Sequence, residues 1–134
     1  MKVEPRFRVW VVYGGAGKGG SVKFGDGRAA LLERIEALGS FKKAVEEIGM
    51  SYRAAWGYFR DLERAAGVQL LERHPGGGPA GGTRLTAAGR QLLRRYRRFR
   101  HGLDAGVARQ FGRAFGGRAI PGRPETSRRK PAAD

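Results

Sequence analysis

The chain of 134 residues suits one compact domain with room for tails. Its 27 Lys and Arg residues against 12 Asp and Glu residues give a formal net charge of +15. A positive excess this large favours a polyanionic partner, nucleic acid before an anionic membrane surface. The absence of cysteine excludes disulfides, thiolate metal sites and cysteine nucleophiles. No apolar run approaches the roughly 18 residues of a membrane span, so we expect a cytoplasmic protein without membrane partners.

The positive charge is unevenly distributed. Residues 1–83 hold 13 basic and 9 acidic side chains, whereas residues 84–134 hold 14 basic and 3 acidic ones. Such asymmetry indicates a basic face or arm. The end of the chain, 116–134, is rich in Pro, Gly and Arg and is predicted to be a disordered basic tail, which leaves 1–115 as the folded domain.

The first predicted element is a β-hairpin. "RFRVWVVY" (6–13) alternates and is rich in β-branched and aromatic residues, which predicts a strand, and "SVKF" (21–24) follows a glycine-rich loop as its partner. The loop sequence "GGAGKGGS" is similar to a phosphate-binding loop only in part. Val12 and Gly19 stand where that motif needs a glycine and a Ser or Thr, so a hairpin loop is the better interpretation.

Three short helices follow, each with capping signals. The predicted helices are 28–38 after Asp26 and before Gly39, 41–48 after Ser40 and before Gly49, and 51–63 after Ser51. The residues expected to face the core are Leu31, Ile35 and Leu38 in the first, Phe41, Ala44, Val45 and Ile48 in the second, and Ala55, Phe59 and Leu62 in the third.

A second hairpin and a long helix complete the domain. "VQLLER" (68–73) and "TRLT" (83–86) are predicted strands around a glycine-rich loop, and Thr86 caps a long basic helix. The apolar line of that helix is Leu92, Tyr96, Phe99, Leu103 and Val107. The order of elements predicts a mostly α fold with small β-hairpins, a winged helix-turn-helix with a long C-terminal helix.

In a helix-turn-helix the second helix of the pair enters the major groove by its N-terminal end. In "GMSYRAAWGYFRDLE" (49–63) the residues left for DNA are Ser51, Tyr52, Arg53, Trp56, Gly57 and Arg60. Arg53 suits guanine edges or phosphates, Ser51 with the free amides of the helix start suits a phosphate, and Gly57 permits close approach to the duplex. Trp56 also fits a partly buried position, packed against the first helix.

Further DNA contacts are expected from the preceding helix and from the wing. The predicted residues are Lys42, Lys43, Arg73, His74, Gly76, Gly77, Gly78 and Arg84. The lysines suit phosphates, the arginines at the base of the wing suit the backbone or a narrow minor groove, and glycine lets backbone amides approach phosphates. A flexible loop with solvated arginines is the alternative interpretation.

Residues 39–96 resemble the DNA-binding domain of ModE-type molybdate-responsive regulators and, more distantly, the N-terminal domain of LysR-type regulators. The resemblance depends on "SYRAAW" (51–56), the "LER" strand, the glycine-packed wing and "RLTAAGR" (84–90), and it extends over about 6–103. It implies a winged helix that binds operator DNA as a homodimer, with "SYRAAW" in the recognition helix and 74–82 at the wing tip.

In full-length ModE-type proteins, oxyanion-binding domains follow the DNA-binding domain. We expect a stand-alone form here, without an oxyanion-binding domain, a cofactor or an evident small-molecule effector. The apolar line of the long helix fits either packing on its own domain or pairing with a second copy, and the homodimer is favoured.

The function predicted from these features is sequence-specific transcriptional regulation. Two alternatives stay open: an architectural DNA coat with little sequence preference, and a protein-interaction module in which Tyr52 and Trp56 form the partner surface. We do not expect an enzyme or a metal site, because His74 and His101 have no second ligand at metal spacing and no catalytic set can be assembled.

Overall fold

A computed structural model describes residues 2–14, 20–75 and 82–116. Its elements, in chain order, are β1 (Val11–Gly14), β2 (Ser21–Phe24), α1 (Asp26–Leu38), α2 (Phe41–Ile48), α3 (Tyr52–Ala66), β3 (Leu71–His74), β4 (Gly82–Leu85) and α4 (Ala87–Phe115). Each strand pair forms its own antiparallel two-stranded sheet. This arrangement confirms the predicted winged helix-turn-helix with a long C-terminal helix.

The helix starts confirm three of the four predicted caps. The side-chain oxygens of Ser40, Ser51 and Thr86 accept hydrogen bonds from the amides of Lys43, Ala54 and Gly89, at 3.1, 2.9 and 3.0 Å. The prediction for Asp26 is wrong. Gly25 is the N-cap of α1 and offers no side-chain cap, while Asp26 lies in the first turn and accepts a hydrogen bond from the Tyr96 hydroxyl.

The first strand of each hairpin is shorter than predicted because its partner has only four residues, whereas β2 has the predicted bounds and β4 keeps the predicted length. Pairing in the first hairpin runs only from Val11 opposite Phe24 to Gly14 opposite Ser21, since the chain enters α1 directly after β2. Residues 6–10 therefore have no strand partner and lie outside β1, contrary to the prediction. In the same way β3 and β4 pair only from Leu71 opposite Leu85 to His74 opposite Gly82, because α4 begins two residues after β4.

The core lies between the three short helices and the two hairpins. Its members are Phe24, Ala29, Leu31, Leu32, Ile35, Phe41, Ala44, Val45, Ala55, Phe59, Leu62, Leu70, Leu71, Leu85 and Tyr96. Tyr96 brings α4 to this core and meets Phe24 edge to face, with ring centroids 5.3 Å apart. Two predicted core residues, Leu38 and Ile48, are instead exposed, and so is Phe99 of the apolar line of α4.

The chain divides into two compact units. Residues 8–99 form one unit, which contains both hairpins, the three short helices and the first part of α4. The other unit includes residues 2–7 and 100–116. There the Arg100 guanidinium lies 4.2 Å from the centroid of the Phe7 ring.

The predicted tail, residues 116–134, lies outside the described residues apart from Gly116. None of the helices in the described part of the chain is both long enough and apolar enough to span a membrane.

Candidate nucleic-acid interface

The turn between α2 and α3 has the tight geometry of a helix-turn-helix. Gly49 takes a left-handed conformation with φ of 91°, which favours glycine, and its amide donates to the Val45 carbonyl oxygen at 2.9 Å. The amide of Met50 donates to the same oxygen at 3.1 Å. Ser51 then caps α3, which begins at Tyr52, so only three residues separate the two helices.

The recognition helix α3 has one buried face and one exposed face. Ala55, Phe59 and Leu62 are completely buried, as predicted from their spacing. Arg53 and Arg60 are exposed, and with Gly57 between them they follow an i, i+4, i+7 line along the helix. This line is therefore open to a ligand on the side away from the core.

Phe41, the first residue of α2, connects the two helices of the pair. Its ring stacks on Trp56, with centroids 4.1 Å apart and an interplanar angle of 23°. The same ring meets Tyr52 edge to face at 5.4 Å. Trp56 is thus partly buried against α2, and its indole N–H is buried without a hydrogen-bond partner among the described residues. Tyr52 stays half exposed.

The wing contacts the recognition helix through Arg73. The guanidinium of this β3 residue lies 3.8 Å from the centroid of the Trp56 ring. Its Nη2 also donates a hydrogen bond to the Tyr52 hydroxyl oxygen at 3.3 Å. From the sequence, these three residues are expected to be separate DNA contacts. No local signal connects them, because Tyr52 and Arg73 are 21 positions apart.

Two helix carboxylates hold the wing in place, and neither was predicted. Glu63 of α3 accepts hydrogen bonds from the amides of Leu70 and Leu71 at 2.8 and 3.0 Å. Glu36 of α1 accepts from the Leu85 amide at 3.3 Å. An acidic residue on an amphipathic helix is normally part of a solvated face, so the pattern alone gave no sign of these bonds.

The two arginines predicted at the base of the wing lie on opposite faces of the hairpin. Arg73 pairs in register with buried Thr83, whereas Arg84 pairs with exposed Glu72. His74 lies on the Glu72 face, with its Nε2 3.8 Å from the Glu72 carboxylate, a contact that is ionic only if the imidazole is protonated. Of the predicted wing contacts, Gly76, Gly77 and Gly78 lie outside the described residues.

Four basic residues that are predicted to contact DNA are exposed and lack a carboxylate partner among the described residues. Within residues 2–14, 20–75 and 82–116, no carboxylate pairs with the side chains of Lys42, Lys43, Arg53 and Arg60, all of them exposed. Other basic residues on neighbouring elements are paired, for example Arg34 with Glu47 at 2.6 Å. Lys42 and Lys43 lie in the first turn of α2 and Arg53 in the first turn of α3, the two helix starts that Phe41 connects, and Arg60 lies two turns further along α3.

Comparisons with known proteins agree with this geometry. The model of the bacterial regulatory helix-turn-helix proteins of the lysR family matches residues 28–90. The chain is 36% identical over 87 residues to the molybdenum-pterin-binding protein MopB of Rhodobacter capsulatus, covering 65% of this chain and 31% of the relative. It is 40% identical over 72 residues to the molybdenum transport protein ModE of Azotobacter vinelandii, and this match covers 54% of this chain and 27% of the relative.

A third relative is the DNA-binding transcriptional dual regulator ModE of Escherichia coli K12, 33% identical over 69 residues, with 52% of this chain and 26% of the relative covered. The chain thus spans less than a third of the length of these relatives. The matched region contains α1, the helix pair, the wing and the start of α4. Residues 28–90 are therefore similar to the regulatory helix-turn-helix of the lysR family, and this part of the chain also resembles ModE-type regulators.

Proposed function

We propose that this protein is a sequence-specific DNA-binding transcriptional regulator. The observation that supports this most is the set of exposed cations without carboxylate partners among the described residues, Lys42 and Lys43 at the start of α2 and Arg53 and Arg60 on the exposed line of α3. Such cations suit the phosphate backbone, and the exposed line of α3 suits the major groove. The relatives of the domain include proteins named as transcriptional regulators.

The proposed roles follow from position. Arg53 and Arg60 face the major groove along the exposed line of α3, where Arg53 reads a base edge or binds a phosphate. Ser51 and Tyr52 contact DNA at the start of that helix, and Trp56 lines the margin of the contact. Gly57 lets the helix approach closely. The phosphate contacts are assigned to a further set, Lys42, Lys43, His74, Arg84 and the wing glycines Gly76, Gly77 and Gly78, whereas Arg73 contacts Tyr52 and Trp56.

The test is selection of bound sequences from a random duplex pool at near-physiological salt. A shared sequence, with affinity far above that for random DNA, is the expected result. Substitution of Arg53→Glu should abolish binding while the thermal unfolding curve is unchanged. Unchanged affinity of the Arg53→Glu protein would contradict the assignment of the recognition helix.

An architectural DNA coat is the second candidate, and the composition of α4 favours it. Its described residues include Arg90, Arg94, Arg95, Arg97, Arg98, Arg100, Arg109 and Arg113. These arginines give strong, salt-dependent affinity for any duplex. Recovery of DNA without a shared sequence in the selection would support the coat, and no recovery would support a protein partner at Tyr52 and Trp56.

We further propose that the regulator is a homodimer formed through α4. Phe99 is 44% exposed, and it lines an apolar groove of about 400 Å³ with Val11, Val68 and Leu92. A second copy that covers this apolar surface would place two recognition helices on half-sites about one DNA turn apart. Sedimentation should show a dimer that Phe99→Ser dissociates, whereas Arg98→Ser, one residue away and exposed, leaves it intact.

The prediction that the protein acts without an oxyanion-binding domain and without an effector stays a prediction. Some relatives are named for molybdenum transport or molybdenum-pterin binding. Molybdate added to the binding assay is expected to leave the affinity for the selected DNA unchanged. A change in affinity would contradict this part of the proposal.

A further inference from the structure

We propose that Arg73 is a positioning residue, which fixes the wing against the recognition helix, and not a phosphate contact. This inference rests on the proposed function, because it concerns how the same surface meets DNA. It concerns a cluster of four side chains from three elements, the clamp: Phe41 of α2, Tyr52 and Trp56 of α3, and Arg73 of β3.

The direction of the Arg73 side chain follows from the pleat of the hairpin. Arg73 lies on the same face of β3 as Leu71 and opposite Thr83, both of which are buried. Its guanidinium consequently points to α3, where it lies 3.8 Å from the Trp56 ring centroid. A planar guanidinium suits an aromatic face, which an ammonium group matches less well.

The hydrogen bond to Tyr52 fixes the orientation of the Arg73 guanidinium over the Trp56 ring. One guanidinium nitrogen donates to the Tyr52 hydroxyl at 3.3 Å while the group lies over Trp56. A guanidinium held in this way has fewer donors left for a phosphate. The buried Phe41 ring contacts both aromatic rings, so the clamp extends from the core of the domain to the wing.

The clamp should affect DNA recognition through the angle between the wing and the recognition helix. Glu63 binds the amides of Leu70 and Leu71 at the base of the wing hairpin, and the clamp adds a second contact with α3 at Arg73, two residues further along β3. These two contacts set the angle between the wing and the recognition helix. Base readout in the major groove and backbone contact by the wing must occur together on one duplex, so this angle determines how well both fit a specific site.

Positioning and phosphate contact make different predictions for DNA binding. Loss of a phosphate contact weakens binding about equally on all sequences and lowers the slope of log K against log salt by about 0.9. Loss of positioning weakens the specific complex, because it alone requires both elements in register. It leaves the affinity for random duplex and the salt slope unchanged.

The experiment measures affinities of wild type, Arg73→Ala and Arg73→Lys for the selected sequence and for random duplex across a salt series. We expect both variants to lose roughly tenfold on the selected sequence only, with an unchanged slope. Lys42→Ala is the comparison variant, with a uniform loss and a lower slope. A uniform loss for Arg73→Ala, with a lower slope and rescue by lysine, would overturn the inference.

A second measurement needs no DNA. In the NMR spectrum of the free protein, the Arg73 side-chain protons should be shifted upfield by the Trp56 ring, and Arg73 should lose that shift in Trp56→Leu. Absence of the upfield shift overturns the clamp even if the protein binds its sequence. A clear shift in a protein that binds no DNA supports the clamp and contradicts the proposed function instead.

Discussion

The hydroxyl of Tyr96 donates a hydrogen bond of 2.6 Å to the carboxylate of Asp26, across 70 positions of the chain. Tyr96 belongs to α4 and is buried, and Asp26 opens α1. The bond therefore joins the long helix to the start of the helix-turn-helix unit. A charged acceptor makes such a bond stronger than one between neutral groups.

Tyr96→Phe should lower the free energy of unfolding by about 2 kcal/mol, because Asp26 loses a charged hydrogen bond in a partly buried place. Urea unfolding of wild type, Tyr96→Phe, Asp26→Ala and the double variant measures this. The coupling energy of the cycle should be clearly different from zero. If the losses of unfolding free energy in the two single variants summed to the loss in the double variant, Tyr96 and Asp26 would not interact in solution.

Glu63→Ala should lower the free energy of unfolding by about 2 kcal/mol, because the amides of Leu70 and Leu71 lose their shared acceptor. Hydrogen exchange of these two amides should become faster in the same variant. Glu36→Ala is the matched control with a single, longer bond to the Leu85 amide, and its loss should be smaller. If the Leu70 amide exchanged hydrogen equally slowly in wild type and in Glu63→Ala, the role of Glu63 as an anchor of the wing would be contradicted.

Gly57→Ala should have opposite effects on the two properties: it should raise the stability of the fold and lower the affinity for DNA. A Cβ at Gly57 would meet only the Arg60 guanidinium, at 4.0 Å, so alanine fits and should stabilise the folded state by about 1 kcal/mol. The affinity for the selected DNA should nevertheless fall, if α3 approaches the duplex there. Gly102→Ala, where a Cβ meets nothing within 4 Å, should stabilise the protein without affecting DNA. Full affinity of Gly57→Ala would place this helix face away from the duplex.

Because the Tyr58 phenol is buried, the free energy of unfolding should fall at high pH. Burial raises the pKa of its phenol far above the usual value, although nearby Arg28 acts in the opposite direction. The hydroxyl also donates to the Lys23 carbonyl oxygen at 2.6 Å. The unfolded chain releases this proton near pH 10 and the folded chain does not, so the contribution is complete below about pH 10 and falls as the pH rises above it.

The check compares urea unfolding of wild type and Tyr58→Phe between pH 8 and pH 11. At pH 8 the wild type should be more stable by about 1 kcal/mol, the value of the hydrogen bond. The difference should decrease above about pH 10, because phenylalanine does not titrate. A difference that is constant over this range would show that the Tyr58 phenol is not protected by folding.

Local pattern was sufficient for most of the fold. Helix spacing placed Ala55, Phe59 and Leu62 inside, and the caps Ser40 and Ser51 with the turn at Gly49 defined the helix pair. These features depend on residues within one or two turns of each other, so the sequence shows them directly. The exposed positions Arg53 and Arg60 follow from the same periodicity.

Contacts between distant residues could not be predicted in this way. The clamp of Arg73 on Trp56, the wing anchor at Glu63 and the bond of Tyr96 to Asp26 each join separate elements. The sequence predicts Arg73 as a DNA contact at the base of the wing, and Asp26 as a helix cap. Which partner a polar side chain takes depends on the packing of whole elements. The local sequence therefore determined the helices, the strands, the turn and the exposed line of α3. Only the tertiary structure decided that Arg73 contacts Trp56, that Glu63 binds the wing amides and that Tyr96 binds Asp26.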